Sequence, residues 1–195
     1  MAKVKLNPAF LEFRGTMGDM VFKKRNGKIY VSMKPQRDQT REPSEAQLAC
    51  RQVFKKAGEY TKVAIADETL RAFYERLAQG KDTTARALCM GDYLNPPTVD
   101  ELDLYHYHGR VGDRIRITTQ DDVGVVTVDV TLTTNDGTTI EKGQAVEPWA
   151  SSGQWEYMAT GTVAPGTQVF VVAQAYDCPG NRAVTSDNLM VGRKN

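Results

Sequence analysis

Cysteine, histidine and tryptophan are scarce in this chain of 195 residues, which contains three, two and two of them. An odd number of widely spaced cysteines, without a CxxC pair, argues against a disulfide framework. The longest apolar runs, such as residues 169–173, are far shorter than the ~18 residues that span a bilayer. The start of the sequence has no apolar segment typical of secretory signals, so we expect cytoplasmic synthesis, with membership of a virion or released particle as a further expectation.

Catalytic motifs are missing as well. The sequence has no G-x-S-x-G, H-E-x-x-H, P-loop or G-x-G-x-x-G pattern. His106 and His108 alternate in a segment that reads as a strand, where both imidazoles would point the same way, but zinc needs three or four ligands. We therefore interpret the pair as an exposed edge-strand face, and we expect no enzymatic activity, no cofactor and no metal.

Charge is distributed unevenly along the chain. Residues 1–97 contain 18 Lys and Arg and 11 Asp and Glu, a net charge of +7, whereas residues 98–195 contain 7 and 13, a net charge of −6. The composition changes at Asn95-Pro96-Pro97, from helix formers to Val, Thr and Gly, and two prolines disfavour helix on both sides. We therefore predict two domains, residues 1–97 and 98–195, whose opposite charges bear on partners rather than on fold.

The segment FKKRNGKIYVS, residues 22–32, predicts a tight β-hairpin. Asn26-Gly27 is a preferred dipeptide of the two-residue type I′ turn, and this turn fixes the register of the strand pairs. One face is then apolar and the other largely basic, and a hairpin of this kind needs a docking surface; residues 10–13 are expected to supply a third strand. The predicted assembly interface is Met20, Phe22, Ile29, Val31 and Met33, and the predicted basic partner-binding residues are Lys23, Lys24, Arg25 and Lys28.

Helical patterns follow the hairpin. Ser44 and Gln47 have the spacing of a capping box, and the apolar pattern that follows breaks near Asp67 and resumes. Gly80 suits the position after the second helix, and a third, shorter helix is predicted at about residues 84–93. The predicted apolar stripes consist of Leu48, Phe54, Ala57, Val63 and Ile65 in the first helix and Leu70, Phe73, Tyr74 and Leu77 in the second.

After residue 97 the hydrophobic period becomes two. About seven short strands, separated by turn signals such as residues 135–137 and 151–153, are typical of an immunoglobulin-like sandwich. The predicted fold class is thus an α+β N-terminal domain, made of a β-hairpin plus helices, followed by an all-β immunoglobulin-like sandwich. The predicted strand stripes are Ile115 and Ile117; Val126, Val128, Val130 and Leu132; Trp155, Tyr157 and Ala159; and Val169, Val171, Ala173 and Ala175.

Two segments resemble known sequence families. Residues 14–28, RGTMGDMVFKKRNGK, resemble the opening of a bacterial and prophage-associated family, in which R/S-G-x-x-G-x-x-V-F-x-x-R-x-G-K precedes an A-Q-x-x-x-R-x-x-F helix, here residues 46–54. This resemblance covers residues 10–97 and implies a structural role. Residues 173–183, AQAYDCPGNRA, resemble the A-x-A-x-D-x-x-G-N-x-A ending of many bacterial immunoglobulin-like domains, which implies a fold and no activity. Neither resemblance supplies catalytic residues.

Acidic residues of the second half are expected in loops at one end of the sandwich. Asp121 and Asp122 fall between strands B and C, and Asp177 falls between strands F and G, at the end where the first strand enters. We interpret these three as acidic loop contacts that face the linker and neighbour the basic half of the chain. Calcium binding between the domains is the alternative, and it requires six to eight oxygen ligands.

The leading hypothesis is a non-enzymatic structural subunit that self-assembles. A basic end that meets the acidic end of another copy makes a head-to-tail contact, and such contacts give rings or open filaments. An exposed strand edge can also accept a strand from a neighbour. The expected partners are other copies of the chain and other proteins of a filament or of a phage- or contractile-injection-like particle, and not a membrane.

Three alternatives remain open at this stage. The immunoglobulin-like half could be a module that recognises carbohydrate or protein, with Trp149 stacking on a sugar and Trp155 in the core. The basic half could bind nucleic acid, although acidic residues are interleaved with its lysines and arginines. The chain could also be a compact monomer, in which the hairpin docks on its own helices.

Overall fold

The computed structural model describes residues 2–3, 14–25, 27–36 and 42–192. The chain separates into two compact units, Met1–Cys50 and Arg51–Asn195. Within the described ranges, every helix is too short or too polar to cross a bilayer.

The described part of the first unit consists of a small antiparallel sheet and of residues 42–50, where the first helix begins. The strands of this sheet are β1 (Ala2–Lys3), β2 (Gly15–Met17), β3 (Met20–Arg25) and β4 (Lys28–Met33), in the spatial order β1–β4–β3–β2. The predicted hairpin and its register are confirmed, because β3 pairs with β4 with Phe22 opposite Val31. Gly27 has a φ of +73°, which suits the two-residue turn. Asn26 and the third strand predicted at residues 10–13 lie outside the described residues.

Three helices follow, and their ends match the capping signals. They are α1 (Glu45–Ala66), α2 (Glu68–Ala78) and α3 (Ala85–Leu94). The capping box is confirmed: the Ser44 N–H donates to Gln47 Oε1 at 3.2 Å, and the Gln47 N–H donates to Ser44 Oγ at 3.3 Å. Asp67 separates α1 from α2 because its Oδ1 accepts the N–H of Leu70 at 2.9 Å. Gly80 adopts a φ of +75° just after α2.

The apolar stripe predicted for α1 is wrong for most of its members. Leu48, Phe54 and Val63 are 46%, 56% and 72% exposed. Small residues form the buried face instead, because a small side chain such as Ala64 lets the helix pack closely in a cluster with side chains of α2 and α3. The Thr61 hydroxyl donates to a carbonyl of its own helix at 2.6 Å, so it is satisfied where it is buried. The buried residues of α1 are Ala57, Thr61 and Ala64.

Seven strands after residue 97 form two antiparallel sheets that enclose one core. The strands are β5 (Thr98–Asp103), β6 (Arg114–Gln120), β7 (Val125–Thr134), β8 (Thr139–Gln144), β9 (Gln154–Met158), β10 (Gln168–Asp177) and β11 (Arg182–Met190). The sheets have the orders β11–β10–β7–β8 and β5–β6–β9. The predicted class of a mixed α and β chain with a β-sandwich is thus supported. The fully buried predicted stripe residues are Ile115, Ile117, Val128, Val130, Leu132, Val169, Val171, Ala173 and Ala175.

Two details of the strand prediction are wrong. Val126 is 55% exposed because it lies at an irregularity in the pairing of β7 with β10. Thr127 pairs with Tyr176 and Val125 pairs with Asp177, so Val126 has no partner residue in β10. A bulge of this kind turns one side chain away from the stripe. His106 and His108 are exposed and lie in and just after the turn that follows β5, not in a strand.

The composition change at residues 95–97 coincides with a change of secondary structure. The last helix ends at Leu94 and the first strand of the sandwich begins at Thr98. As a domain boundary, this position stays a prediction. In the second unit the helices contact the sandwich, since Val123 and Cys178 pack against a cluster centred on Tyr74. This contact places the C-terminal end of α3 beside two loops of the sandwich.

Candidate functional site

The predicted assembly interface occupies one face of the first unit's sheet. The register places Met20 opposite Met33, and Met17 of β2 opposite Met20, on the face that also carries Phe22 and Val31. The three methionines Met17, Met20 and Met33 are 55%, 40% and 69% exposed. Met17 was not among the predicted residues, because its strand is only three residues long and shows no alternation. The other predicted members, Phe22, Ile29 and Val31, are half-buried.

The predicted basic residues do not all share one face. Lys23 lies opposite Tyr30, on the face away from the methionines, and Lys28 lies opposite Arg25 on that same side of the register. Lys24 lies opposite Ile29 and therefore belongs to the apolar face, where it is exposed. The sheet thus has one basic face, and an apolar face with a lysine at one end.

The first unit shows no completed core within the residues described. Across residues 14–24, 27–36 and 42–50 every side chain is exposed or half-buried. In the second unit, by contrast, core residues such as Ile117 and Leu132 are 0% exposed. The apolar face therefore combines half-buried side chains, Phe22, Ile29 and Val31, with the exposed methionines Met17, Met20 and Met33.

Three aspartates from separate segments meet at one end of the sandwich. Asp92 lies in α3, Asp121 follows β6, and Asp177 ends β10. One carboxylate oxygen of each lies within 4.8 Å of those of the other two. Asp92 and Asp177 are 1% and 4% exposed, and Asp121 is half-buried. We call this cluster the acidic junction.

Hydrogen bonds orient two of these carboxylates and leave one oxygen of each unused. The Tyr74 hydroxyl donates to Asp92 Oδ2 at 2.6 Å. Asp121 Oδ2 accepts the N–H groups of the two residues that open the next turn, Val123 at 3.0 Å and Gly124 at 2.6 Å. Asp92 Oδ1 and Asp121 Oδ1 are buried and accept no hydrogen bond from the described residues. Buried polar atoms without a partner are rare in folded proteins, so these two oxygens require an explanation.

Asn181 ties the third carboxylate to the helix. Its backbone N–H and its Nδ2 donate to Asp177 Oδ1 and Oδ2 at 2.6 and 2.8 Å. The same Nδ2 lies 3.2 Å from the carbonyl oxygens of Asp92 and Tyr93, in the last turn of α3. Carbonyls of the last helical turn have no partner within the helix, so the Asn181 side chain satisfies them from the sandwich.

Burial dominates the electrostatics of the acidic junction. Burial is the main cause of the raised pKa of Asp92, which is about 7. The hydrogen bond from Tyr74 lowers this pKa, whereas the neighbouring carboxylates raise it further. Burial also raises the pKa of Asp177, against the hydrogen bonds from Asn181. The ion pairs found within the described ranges all lie elsewhere, so no lysine or arginine there offsets the charge.

The predicted acidic loop contacts divide into two groups. Asp121 and Asp177 come together with Asp92, whereas Asp122 is exposed and its Oδ2 accepts the Nδ2 of Asn95 at 2.9 Å. Contacts of these acids with basic side chains of the chain stay a prediction. Asp92 is not among the residues predicted from the sequence. The signal that could have identified it is its position three residues after Cys89, because this spacing places an aspartate on the buried face of a short helix.

Replacing Tyr74 with phenylalanine is expected to lower the free energy of unfolding by about 1–3 kcal/mol, because it removes the hydroxyl that donates to a buried carboxylate. Tyr107→Phe is the matched control, since Tyr107 is also 1% exposed or less but its hydroxyl has no partner among the described residues. This control should be neutral or stabilising. Urea denaturation of both variants measures the difference, and equal destabilisation would contradict the role given to the Tyr74 hydroxyl.

Comparisons with known proteins do not identify a family for this chain. No protein-family model matches the chain, and no curated protein matches it. Among solved structures the chain is similar to one described as "Crystal structure of Br derivative BhCBM56", with 17% sequence identity and a TM-score of 0.32. The match covers 41% of this chain and 79% of that chain. A similarity at this level assigns neither a fold family nor a function.

Proposed function

We propose that this protein is a non-enzymatic structural subunit that associates with other copies of itself through the apolar face of its β1–β4 sheet. In this proposal the assembly displays the immunoglobulin-like sandwich that the second unit contains. The observation that carries the proposal is the exposure of Met17, Met20 and Met33 on one sheet face. Every side chain of residues 14–24, 27–36 and 42–50 in this unit is exposed or half-buried.

The exposed methionines of the apolar face favour association. Fully burying a methionine side chain contributes about 1.5–3 kcal/mol, and each ~1.4 kcal/mol corresponds to a tenfold change in affinity. Since three methionines are 40% to 69% exposed, covering them together would tighten association by several orders of magnitude before the entropy of binding is subtracted. A second copy is the proposed occupant, because its acidic half complements the charge of the basic half that carries this face.

Charge supports a contact between copies that are not related face to face. The basic first half carries a net +7 and the second half a net −6, so a head-to-tail arrangement brings opposite charges together. Heterologous contacts of this kind generate rings or filaments. The edge strand β2 is exposed along its whole length and could extend such a contact by strand addition. A filament, or a phage- or injection-like particle, is the setting proposed from the resemblance of residues 14–28.

The oligomeric state tests this proposal directly. We expect sedimentation velocity of the purified chain to show mass that increases with protein concentration. The double variant Met17→Gln and Met33→Gln keeps side-chain size, removes apolar surface from the exposed face, and should weaken association by about tenfold or more.

A matched control lies on the same edge strand. Thr16 is exposed like Met17 but points to the opposite face, so Thr16→Gln should leave the association unchanged. Raising the ionic strength should weaken a contact in which the charged halves meet. A chain that stays monomeric at every concentration and salt level would overturn the proposal, and so would equal loss in the control.

A binding module is the second candidate, and one observation favours it. Trp149 is 72% exposed, which leaves its indole available for stacking on a sugar ring. Trp155 is 6% exposed and its Nε1 donates to Thr119 Oγ1 at 3.1 Å, so the prediction that it belongs to the core is confirmed. Binding of a monomer on a glycan array, with loss in Trp149→Ala, would favour this candidate over assembly.

A further inference from the structure

We infer that the acidic junction binds a calcium ion, with Asp92, Asp121 and Asp177 each contributing a carboxylate oxygen. The inference concerns the second unit alone and does not depend on whether copies of the chain associate.

The spacing of the oxygens fits one shared ion. Calcium holds its oxygen ligands at about 2.3–2.6 Å, so two ligands of the same ion are at most about 5 Å apart. One carboxylate oxygen from each of the three aspartates lies within 4.8 Å of the other two. The three side chains come from a helix, from a loop and from the end of a strand, so the convergence is a product of the tertiary fold and not of local sequence. The expectation that Asp177 lies in a loop is thus corrected, since this residue still pairs with Val125 in the sheet.

The unused atoms of the acidic junction point to a ligand. Asp92 is 1% exposed, yet its Oδ1 has no hydrogen-bond donor among the described residues, and the same holds for Asp121 Oδ1. The second oxygen of each is held by a donor, Tyr74 in one case and two backbone N–H groups in the other. Carboxylates that bind metals are commonly oriented in this way by hydrogen bonds to their outer oxygen.

The donor set selects a hard cation. All three ligands are carboxylate oxygens, which suit calcium and magnesium rather than zinc or copper. A divalent ion would also offset the like charges that no lysine or arginine offsets within the described residues. Magnesium demands near-ideal octahedral geometry, whereas calcium accepts irregular sets completed by water, and the half-buried Asp121 leaves a side where water can enter.

The expected affinity is moderate. Three carboxylates without a dedicated loop resemble the weaker calcium sites, whose dissociation constants are on the order of 10⁻⁴–10⁻³ M. A ligand that binds only the folded state raises the melting temperature, and for a chain of this size we expect a rise of about 5 °C once calcium is far above its dissociation constant.

The experiment compares two neighbouring aspartates. The purified chain is freed of metal with EDTA, dialysed, and melted with and without CaCl₂ at about 50 mM, far above the expected dissociation constant, at matched ionic strength. Binding is followed by tyrosine-sensitised emission of Tb³⁺, for which Tyr74 is the nearby donor. Asp121→Asn should abolish the calcium-induced rise in melting temperature and the Tb³⁺ signal. Asp122→Asn removes the same charge from the same loop but no ligand, because Asp122 is exposed and bonded to Asn95, and it should retain both.

Three outcomes would overturn the inference. The first is a wild-type chain that calcium does not stabilise. The second is an equal loss in Asp121→Asn and Asp122→Asn, which would indicate general attraction of cations to an acidic end. The third is equal stabilisation by MgCl₂, which would exclude selection of calcium. Since Asp121→Asn keeps the oxygen that accepts the loop N–H groups, its folded state can be verified by circular dichroism before binding is measured.

Discussion

Replacing Asn181 with alanine is expected to lower the free energy of unfolding by about 2–4 kcal/mol, because two sets of hydrogen bonds disappear together. The Nδ2 of Asn181 lies 2.8 Å from Asp177 Oδ2 and 3.2 Å from the carbonyl oxygens of Asp92 and Tyr93. Without it, a carboxylate that is 4% exposed loses a charge-assisted bond, and the last turn of α3 loses its donor from the sandwich. Urea denaturation in EDTA measures the loss without any contribution from bound metal.

Asn95→Ala provides the matched control for this prediction. Asn95 also joins the end of α3 to a sandwich loop, through a 2.9 Å bond to Asp122 Oδ2, but both residues are exposed. A bond between exposed groups is replaced by water at little loss, so we expect a change below about 0.5–1 kcal/mol. Equal effects in the two variants would mean that Asn181 does not connect the helix to the sandwich in the way described.

The parts of the fold that local rules determine could be predicted from the sequence. The hairpin register follows from one turn dipeptide and a period of two, and β3 and β4 pair in that register. The helix boundaries at Ser44 and at Asp67 can also be predicted, because each capping bond joins residues that are three positions apart. The seven strands followed from alternation, because each inner side chain faces a common core.

The parts that depend on distant segments could not be predicted. The apolar residues of α1 suggested a buried stripe, yet Phe54 and Val63 are exposed, since the choice of buried face depends on which helices pack against it. The acidic junction joins residues that are 29 and 56 positions apart in sequence, as Asp92, Asp121 and Asp177 show. The motif containing Asp177 and Asn181 indicates a fold from the sequence, but it does not indicate the contact of Asn181 with α3, because that contact joins residues 88 and 89 positions apart.

Gly153→Ala is expected to lower the free energy of unfolding by about 2–4 kcal/mol, the sum of backbone strain and a steric clash. Gly153 has a φ of +68°, and a Cβ atom there would lie 2.4 Å from the carbonyl oxygen of Thr119. The Thr119 backbone cannot retreat freely, because its N–H donates to Gly153 O at 2.8 Å and its hydroxyl accepts from Trp155 Nε1. Relief of the clash would therefore displace Thr119 and disturb its hydrogen bond with the buried Trp155. Thermal or urea unfolding should measure the resulting loss of free energy of unfolding.

Gly137→Ala separates strain from clash. Gly137 has a φ of +84°, comparable to that of Gly153, but a Cβ atom there meets nothing within 4 Å. Only the left-handed backbone conformation then opposes the substitution, so the expected loss is about 1–2 kcal/mol. From the sequence the two glycines are equivalent turn signals, in residues 135–137 and 151–153. A loss in Gly137→Ala as large as that in Gly153→Ala would show that backbone strain alone accounts for both and that the approach to Thr119 is not tight.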